Sequence, residues 1–289
     1  MSPSRRHFLL QFASLAIPAV VLAKGRENWT VKQVIDLILK SIPGAPFPST
    51  VDTIKAGNID QRVTGIVTTM FATVDVIRET AKSGANFIIA HEPTFYNHLD
   101  ESEGFEHDQV YQQKLQLLNK HGIVVWRFHD YIHAHEPDGV YMGVLEAVGW
   151  EKYYDKSHRG LLNIQPTTLS GIIQLFELRL KIEHVRYIGE PGHVCKRVLL
   201  IPGAAGGKTQ IHRLQEFKPD VLIVGELNEW ETSEYIRDMR SLGINTSLIV
   251  LGHVQSEEPG MKWLAKWLQP QLQGIKVTHL PSKDAFHWK

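Results

Sequence analysis

The sequence has almost no cysteine: Cys195 is the only one among 289 residues. A single thiol excludes an internal disulfide framework and any zinc site built from a cysteine cluster. Net charge is also absent, because 31 basic side chains are balanced by 31 acidic ones. This balance argues against a protein that binds nucleic acid or an acidic membrane surface through bulk electrostatic attraction.

Two common catalytic signatures are missing as well. The sequence contains no Gly-x-Ser-x-Gly nucleophile elbow, so it does not predict a serine hydrolase of that type. Residues 202–209 (PGAAGGKT) resemble a phosphate-binding P-loop, but Pro202 stands where the first glycine is required. Hydrolysis of a nucleoside triphosphate at this turn is therefore not expected, although a backbone nest for an anion stays open as an alternative.

The N-terminal apolar stretch is too short to be a membrane span. Residues 9–23 form a moderately apolar stretch that contains Gln11, Ser14 and Pro18, whereas a transmembrane helix needs about 20 apolar residues. They follow Ser4-Arg5-Arg6-His7-Phe8-Leu9, which resembles the twin-arginine export signature. We therefore expect residues 1–23 to be a cleaved signal peptide, the protein to be periplasmic or otherwise exported, and no stable membrane insertion. A buried N-terminal helix or an uncleaved anchor is the alternative.

Strand-like and helix-like patterns alternate along the remaining chain. Strands are predicted at 62–70, 86–90, 123–128, 197–201, 220–224 and 245–250, and helices at 73–83, 108–120, 168–180, 208–217, 229–241 and 256–268. This alternation predicts an α/β protein built on sheets. A polar, irregular stretch at 151–166 predicts a lobe boundary. We assign 24–150 plus 245–289 to a metal-binding α/β lobe, and 151–244 to a second α/β lobe.

Histidine is what the sequence has in excess: there are 15, more than the 11 phenylalanines. Several of them follow predicted strands together with carboxylates. His91-Glu92 follows one strand, and His129-Asp130 with His133 follows the next; near the C-terminus, His253 comes after a strand and Glu257 comes four residues later. Ligand sites in open α/β sheets gather at the carboxyl ends of strands.

This pattern favours a shared metal site. One histidine at a strand end is more often a hydrogen-bonded core residue, but three strand ends with imidazole and carboxylate together are harder to explain that way. Imidazole and carboxylate ligands without thiolate suit Zn, Fe, Mn or Ni. The candidate ligands outnumber the three or four of a mononuclear catalytic site, which favours two divalent ions bridged by a carboxylate such as Glu257.

Residues 84–91 (GANFIIAH) and 252–260 (GHVQSEEPG) resemble segments of the NIF-three-like dinuclear-metal proteins, a family often labelled GTP cyclohydrolase I type 2. Residues 129–140 are similar to a third segment of that family, and the whole resemblance covers roughly 28–280. It implies a two-lobed sandwich of mixed sheets flanked by helices, and a homo-oligomeric ring, often a hexameric trimer of dimers. It also implies that the metal ligands are His91, Glu92, His133, His253 and Glu257.

Two of the five inherited ligand positions differ from the usual family pattern. Glu92 stands where the family has histidine, and His133 stands where it has aspartate. The exchange keeps the same kinds of ligand, so it indicates a rearranged site rather than a lost one. His129 and Asp130 then become alternative ligands or groups that orient the ligands.

Two functions from different classes follow. The first is a metal-dependent hydrolase in which a metal-bound hydroxide attacks a small-molecule substrate: a phosphoester, an amide or a nucleotide ring carbon. Its catalytic residues would be Glu257, which bridges or orients, and Asp130 and His129, which move protons. The second is a non-catalytic metal-binding protein that acts as a store, chaperone or scaffold. An open ligand position facing a cleft would favour the hydrolase.

Overall fold

Two five-stranded mixed sheets, each flanked by helices, form the frame of the protein. The computed structural model describes residues 28–287, so the predicted signal peptide lies outside the described residues. The predicted class, an α/β sandwich of mixed sheets flanked by helices, is confirmed. Within the described range, no helix is both long enough and apolar enough to cross a membrane.

The first sheet has the strand order β1-β4-β3-β2-β10. Its strands are β1 (Ile54–Ala56), β2 (Ile66–Thr69), β3 (Phe87–Ala90), β4 (Val124–Arg127) and β10 (Val277–His279). Its helices are α1 (Val31–Leu39), α2 (Val74–Lys82), α3 (Gln109–Lys120), α4 (Asp130–Ala134), α5 (Gly139–Val148) and α9 (His253–Leu268). The three central strands are parallel, and every residue in them is buried, as expected when helices cover both faces.

The second sheet has the order β5-β7-β8-β9-β6. Its strands are β5 (Leu161–Thr168), β6 (Arg186–Ile188), β7 (Val194–Ile201), β8 (Val221–Val224) and β9 (Ser247–Val250). Helices α6 (Leu169–Leu180), α7 (Gly207–Phe217) and α8 (Glu234–Ser241) flank it. The short edge strands β1, β6 and β10 were not predicted, because three residues carry too little pattern to recognise. The edge strand β5 was not predicted either, because most of it lies in the polar stretch at 151–166 that we interpreted as an irregular lobe boundary.

The predicted lobe boundary at residue 245 needs a correction. It assigned β9 to the first lobe, yet β9 pairs in parallel with β8 and antiparallel with β6 inside the second sheet. The chain returns to the first sheet only after Val250. The amino-acid composition of the chain does not change near residue 250, so the sequence gives no sign of this boundary. Which strand a buried apolar strand pairs with is decided by tertiary packing.

Helices α5 and α9 cross between the two sheets and hold them together. A Cβ atom added at Gly143 in α5 would lie 2.4 Å from the backbone of Pro259 and Gly260 in α9. Only glycine permits so close an approach. The two sheets are also joined by the Tyr141 hydroxyl, which donates to the carbonyl of Leu200 at 2.6 Å.

Candidate metal centre

The predicted ligand-bearing segments meet between the carboxyl ends of strands from both sheets. His91 and Glu92 follow β3 directly, and their backbone N–H groups donate to Thr69 and Met70, which keeps them in line with the strand. His129 follows β4 and immediately precedes α4. The third segment arrives from the second sheet, where β9 ends two residues before Gly252.

Helix α9 begins earlier than the sequence predicts. We expected a start near Ser256, but Gly252 turns the chain with φ 99° and its carbonyl accepts the Ser256 N–H at 3.1 Å, so the helix starts at His253. This extra turn has a consequence for the site. His253 and Glu257 become i, i+4 neighbours on one helix face, with Nε2 and Oε2 3.0 Å apart.

All five predicted ligands lie around one point. Glu257 is central: Oε2 lies 3.3 Å from Nε2 of His91, and Oε1 lies 3.9 Å from Nε2 of His133. Oε1 of Glu92 lies 3.4 Å from Nε2 of His253. His129 is a sixth member, with Nε2 3.9 Å from Oε1 of Glu92. Both carboxylates and His91 are buried, while the other imidazoles are partly exposed.

Each imidazole is held from its outer nitrogen. In all four histidines a carbonyl or carboxylate oxygen faces Nδ1, while Nε2 faces the centre. Nδ1 of His91 faces the Phe128 carbonyl at 3.2 Å, and Nδ1 of His129 faces Asp130 Oδ1 at 2.9 Å. Nδ1 of His133 faces Asp138 Oδ2 at 3.0 Å, and Nδ1 of His253 faces Glu226 Oε2 at 3.2 Å. Such partners favour the tautomer whose Nε2 lone pair is free to bind a metal.

The donor set fits a divalent metal ion. Nε2 of His91 is buried and forms no hydrogen bond, although Glu257 lies near it. Two groups of side chains each offer three donor atoms within 4.8 Å of one another: His91, His129 and His133 form one group, and His91, Glu92 and Glu257 form the other. All of these donors are imidazole nitrogens or carboxylate oxygens, so the cluster could hold a metal ion.

The cluster strongly perturbs the protonation of its members. Burial acts to lower the pKa of His253, but hydrogen bonds to Glu257 and Glu92 outweigh it and raise the pKa to about 10. Burial acts to raise the pKa of Glu257, yet the nearby His91 and His253 hold it well below its usual range. Burial and the neighbouring His91 lower the pKa of His129 to about 4. The carboxylates are therefore ionised and ready to bind a cation.

Asp130 takes a different place from the other predicted catalytic groups. One of its carboxylate oxygens faces Nδ1 of His129, and the other accepts the Thr50 hydroxyl at 2.8 Å and the Val51 N–H at 3.1 Å. It therefore stands behind His129 rather than in the cluster. Any proton that Asp130 moves would pass through that imidazole.

Sequence reasoning missed Asp52, which builds the turn that carries His129. Its buried carboxylate accepts the N–H groups of His129 at 2.8 Å, Asp130 at 3.1 Å and Tyr131 at 2.8 Å. Burial raises the pKa of Asp52, because its effect outweighs that of the three hydrogen bonds, which act to lower the pKa. Asp52 comes from a loop about 80 residues earlier, and no local pattern connects it to the site.

Two other supporting groups were missed. Asp138 caps α5 through the N–H groups of Val140 and Tyr141 while its second oxygen faces His133. The buried Arg127 lies 3.5 Å from Glu92 through its guanidinium. Asp138 had a usable signal, since an aspartate just before an apolar helical run is typical of an N-cap. Arg127 had none, because it looks like part of a buried strand.

Three clefts open beside the cluster, each reaching a different side chain of it. One of about 800 Å³ is lined by Glu92, and we call it the Glu92 cleft. A second, of about 580 Å³, is lined by His253, and a third, of about 450 Å³, by His133. The cluster is thus buried at its carboxylates but reachable by small molecules, as ligand sites commonly are.

Comparison with known proteins identifies the family. The sequence pattern of the Duf34/NIF3 (NGG1p interacting factor 3) family matches residues 30–285. A Clostridium perfringens (strain 13 / Type A) protein called a GTP cyclohydrolase 1 type 2 homolog is 23% identical over 239 residues, which is 79% of this chain and 86% of that protein.

Solved structures share the fold. A Staphylococcus aureus hypothetical protein superimposes with a TM-score of 0.71 at 19% identity, covering 91% of this chain and 100% of its own. A Bacillus cereus protein related to NIF3 gives a TM-score of 0.72 at 14% identity, again covering 91% and 100% of the two chains. At such identities the likeness concerns the fold alone.

Proposed function

The chain belongs to the Duf34/NIF3 family, and from that premise we propose that it binds two divalent metal ions and uses them to hydrolyse a small molecule. One observation carries the proposal: four imidazoles direct Nε2 toward two buried carboxylates beside clefts of ligand size. The ligands we propose are His91, Glu92, His133, His253 and Glu257. Zn, Fe, Mn and Ni all suit this donor set.

Divalent ions at such a site would supply Lewis-acid activation of both water and the substrate. The protein's own groups do the rest. Glu257 lies between His91, His133 and His253, so it is the carboxylate best placed to join two ions. Partly exposed His129, with its lowered pKa, is neutral at pH 7 and can accept a proton through Nε2. Asp130 holds its ring and stabilises the protonated form.

The second candidate is a metal store, chaperone or scaffold without turnover. The accessible clefts favour the hydrolase, because a storage site needs no space for a substrate next to its ligands. The distant relative called a GTP cyclohydrolase homolog points to hydrolysis of a nucleotide ring carbon. An exported protein seldom meets GTP, so we propose a different small molecule as its substrate.

Elemental analysis combined with an activity screen tests the proposal. Purified protein should carry about two divalent ions per chain and hydrolyse at least one phosphoester, amide or cyclic amide. Glu257→Gln should lose most of the metal, whereas His129→Asn should keep most of it and lose activity. Less than one ion per chain after reconstitution would refute the dinuclear site, and full metal loading without turnover would favour the storage function.

We also propose export through the twin-arginine pathway, with cleavage near Ala23. Replacing Arg5 and Arg6 by lysine should retain the protein in the cytoplasm, since that pathway reads the arginine pair. Mature protein that still begins at Met1 in the soluble cytoplasmic fraction would contradict the proposal.

A homo-oligomer is the remaining proposal, with the hexameric ring of the family resemblance as the expected form. Trp230 is 75% exposed, and an exposed aromatic side chain of this size is typical of an interface. Light scattering on the mature protein should give a mass several times that of the chain. A monomer at micromolar concentration would rule the ring out.

A further inference from the structure

The Glu92 cleft ends at a buried lysine. Glu92 lines the cleft near the candidate metal centre, and Lys114 of α3 lines it as well. Much of the remaining wall is apolar, formed by Phe71, Val74, Pro93, Tyr96, Val254 and Ala285. A molecule in this cleft could therefore touch the metal centre and the lysine together.

Lys114 has an unusual environment for a cation. Its side chain is buried, and Nζ donates one hydrogen bond, to the carbonyl of Thr94 at 2.5 Å. Nζ also lies 5.0 Å from the centre of the Tyr96 ring. Among residues 28–287, no carboxylate lies within ion-pair distance of this ammonium. An ammonium has three N–H donors, so two remain for a ligand.

The neighbouring carboxylates are already paired with other cations. Asp100 lies 3.4 Å from Nζ of Lys55 and 3.7 Å from the guanidinium of Arg127, and Arg127 also lies 3.5 Å from Glu92. Three buried cations thus share two buried carboxylates, and Lys114 is left with only the more distant charge of Asp100 and no carboxylate in contact. Buried charges are normally paired, so this surplus indicates a missing anion.

Tyr96 gives the cleft a strained aromatic wall. Its φ of 69° is left-handed, a conformation that costs a residue with a side chain roughly 1–2 kcal/mol. Such strain tends to be kept at ligand-binding positions. Tyr96 is 54% exposed and lines the cleft. Among the described residues, its ring contacts one other aromatic ring, that of Phe105, at a centroid distance of 6.2 Å. Its ring is therefore available to pack on a planar group.

We propose that the Glu92 cleft holds the substrate of the metal centre, and that this substrate has a planar or aromatic body with an anionic end, a carboxylate or phosphate, bound by Lys114. The inference rests on the proposed hydrolase function, since the bond to be cleaved would lie at the Glu92 end. It adds the substrate class and the residue that selects it.

Titration calorimetry on the purified mature chain tests this with three simple probes: benzoate, phenyl phosphate and the neutral benzamide. Each probe is measured on metal-loaded and metal-stripped protein. Lys114→Met should weaken binding of the preferred anion at least tenfold and leave benzamide unchanged. The matched control is Lys120→Met, an exposed lysine of the same helix, which should bind as the parent does. The anion that binds more tightly distinguishes carboxylate from phosphate.

Binding of both anions by a folded Lys114→Met variant as tightly as by the parent would overturn the inference. So would anion binding that disappears with the metal but ignores Lys114, because the ions alone would then hold the anion. Failure of the proposed hydrolase function looks different: Lys114-dependent binding would persist without any turnover. Thermal unfolding of each variant confirms that it is folded.

Discussion

A Cβ atom at Gly203 would lie 2.2 Å from Oε1 of Glu257, so the central carboxylate of the site packs directly against the backbone of Gly203. Gly203 follows β7 with φ 70° and donates its N–H to the Ser256 hydroxyl at 3.0 Å. A turn of the second sheet thereby positions Glu257, the proposed ligand carried by α9. This contact gives the glycine-rich segment a role in positioning Glu257, whatever its resemblance to a phosphate-binding loop.

Gly203→Ala should therefore displace Glu257 and weaken metal binding about 10- to 100-fold, the range seen when groups that orient ligands are altered. The control is Gly206→Ala in the same turn. Gly206 has a similar φ of 78°, but a Cβ there meets nothing within 4 Å. Both positions have a positive φ, but only at Gly203 would the added methyl meet Glu257, so competition with a metal-binding dye should separate the two variants. Equal affinities would show that the contact with Glu257 is unimportant.

Asp52→Asn should loosen the turn that carries His129. An amide nitrogen cannot accept a hydrogen bond, so at least one of the three N–H groups now bound by Asp52 loses its partner. The expected cost is about 1–3 kcal/mol in the free energy of unfolding. Urea denaturation measures it, with exposed Asp60→Asn as the control. A loss of stability no larger than that of the control would contradict the assignment.

Gly143→Ala should separate α5 from α9. The added methyl would lie 2.4 Å from the backbone of Gly260, and overpacking of this kind costs about 1–3 kcal/mol. Metal affinity should fall too, because α5 begins beside Asp138 and α9 carries Glu257. Gly171→Ala in α6 meets only Thr167 and Thr168 side chains, at 3.1 and 3.2 Å, and should be nearly neutral. Denaturation and metal titration of both variants provide the comparison.

Lys114→Met should change how stability depends on pH. Burial lowers the pKa of Lys114 from 10.5 to about 8, so between these values the unfolded chain binds more protons than the folded one. The free energy of unfolding of the parent should therefore gain about 3 kcal/mol relative to Lys114→Met as pH rises from 8 to 10.5. Below pH 8 the variant should be the more stable protein.

Denaturant unfolding at several pH values checks this prediction. Lys120→Met, which removes an exposed ammonium from the same helix, should show no such change relative to the parent. A constant difference between parent and Lys114→Met across pH 8 to 10.5 would mean that Lys114 titrates normally. If Lys114 serves to bind an anion, Lys114→Met should be more stable than the parent below pH 8 but should bind the anion more weakly.

The sequence by itself determined the local elements and the kinds of side chain at the candidate site. Apolar runs followed by His91-Glu92 and by His129-Asp130 indicate buried strands ending in ligating groups, because backbone periodicity and burial are local properties of the chain. His253 and Glu257 follow a third apolar run in the same way, and the resemblance of 252–260 to the family supports their assignment. Helices such as α2 and α3 lie within a residue of their predicted bounds, since N-capping Thr73 and Asp108 mark their starts.

Only the tertiary structure decided which distant groups complete the site. Asp52, Glu226 and Lys114 each reach the metal centre or its cleft from a different loop or helix, and their sequence neighbours give no sign of it. The pairing of β9 and the early start of α9 likewise depend on the second sheet. The sequence pattern around a residue indicates whether its side chain is buried. Which distant side chain it contacts depends on how separate helices, strands and loops pack together.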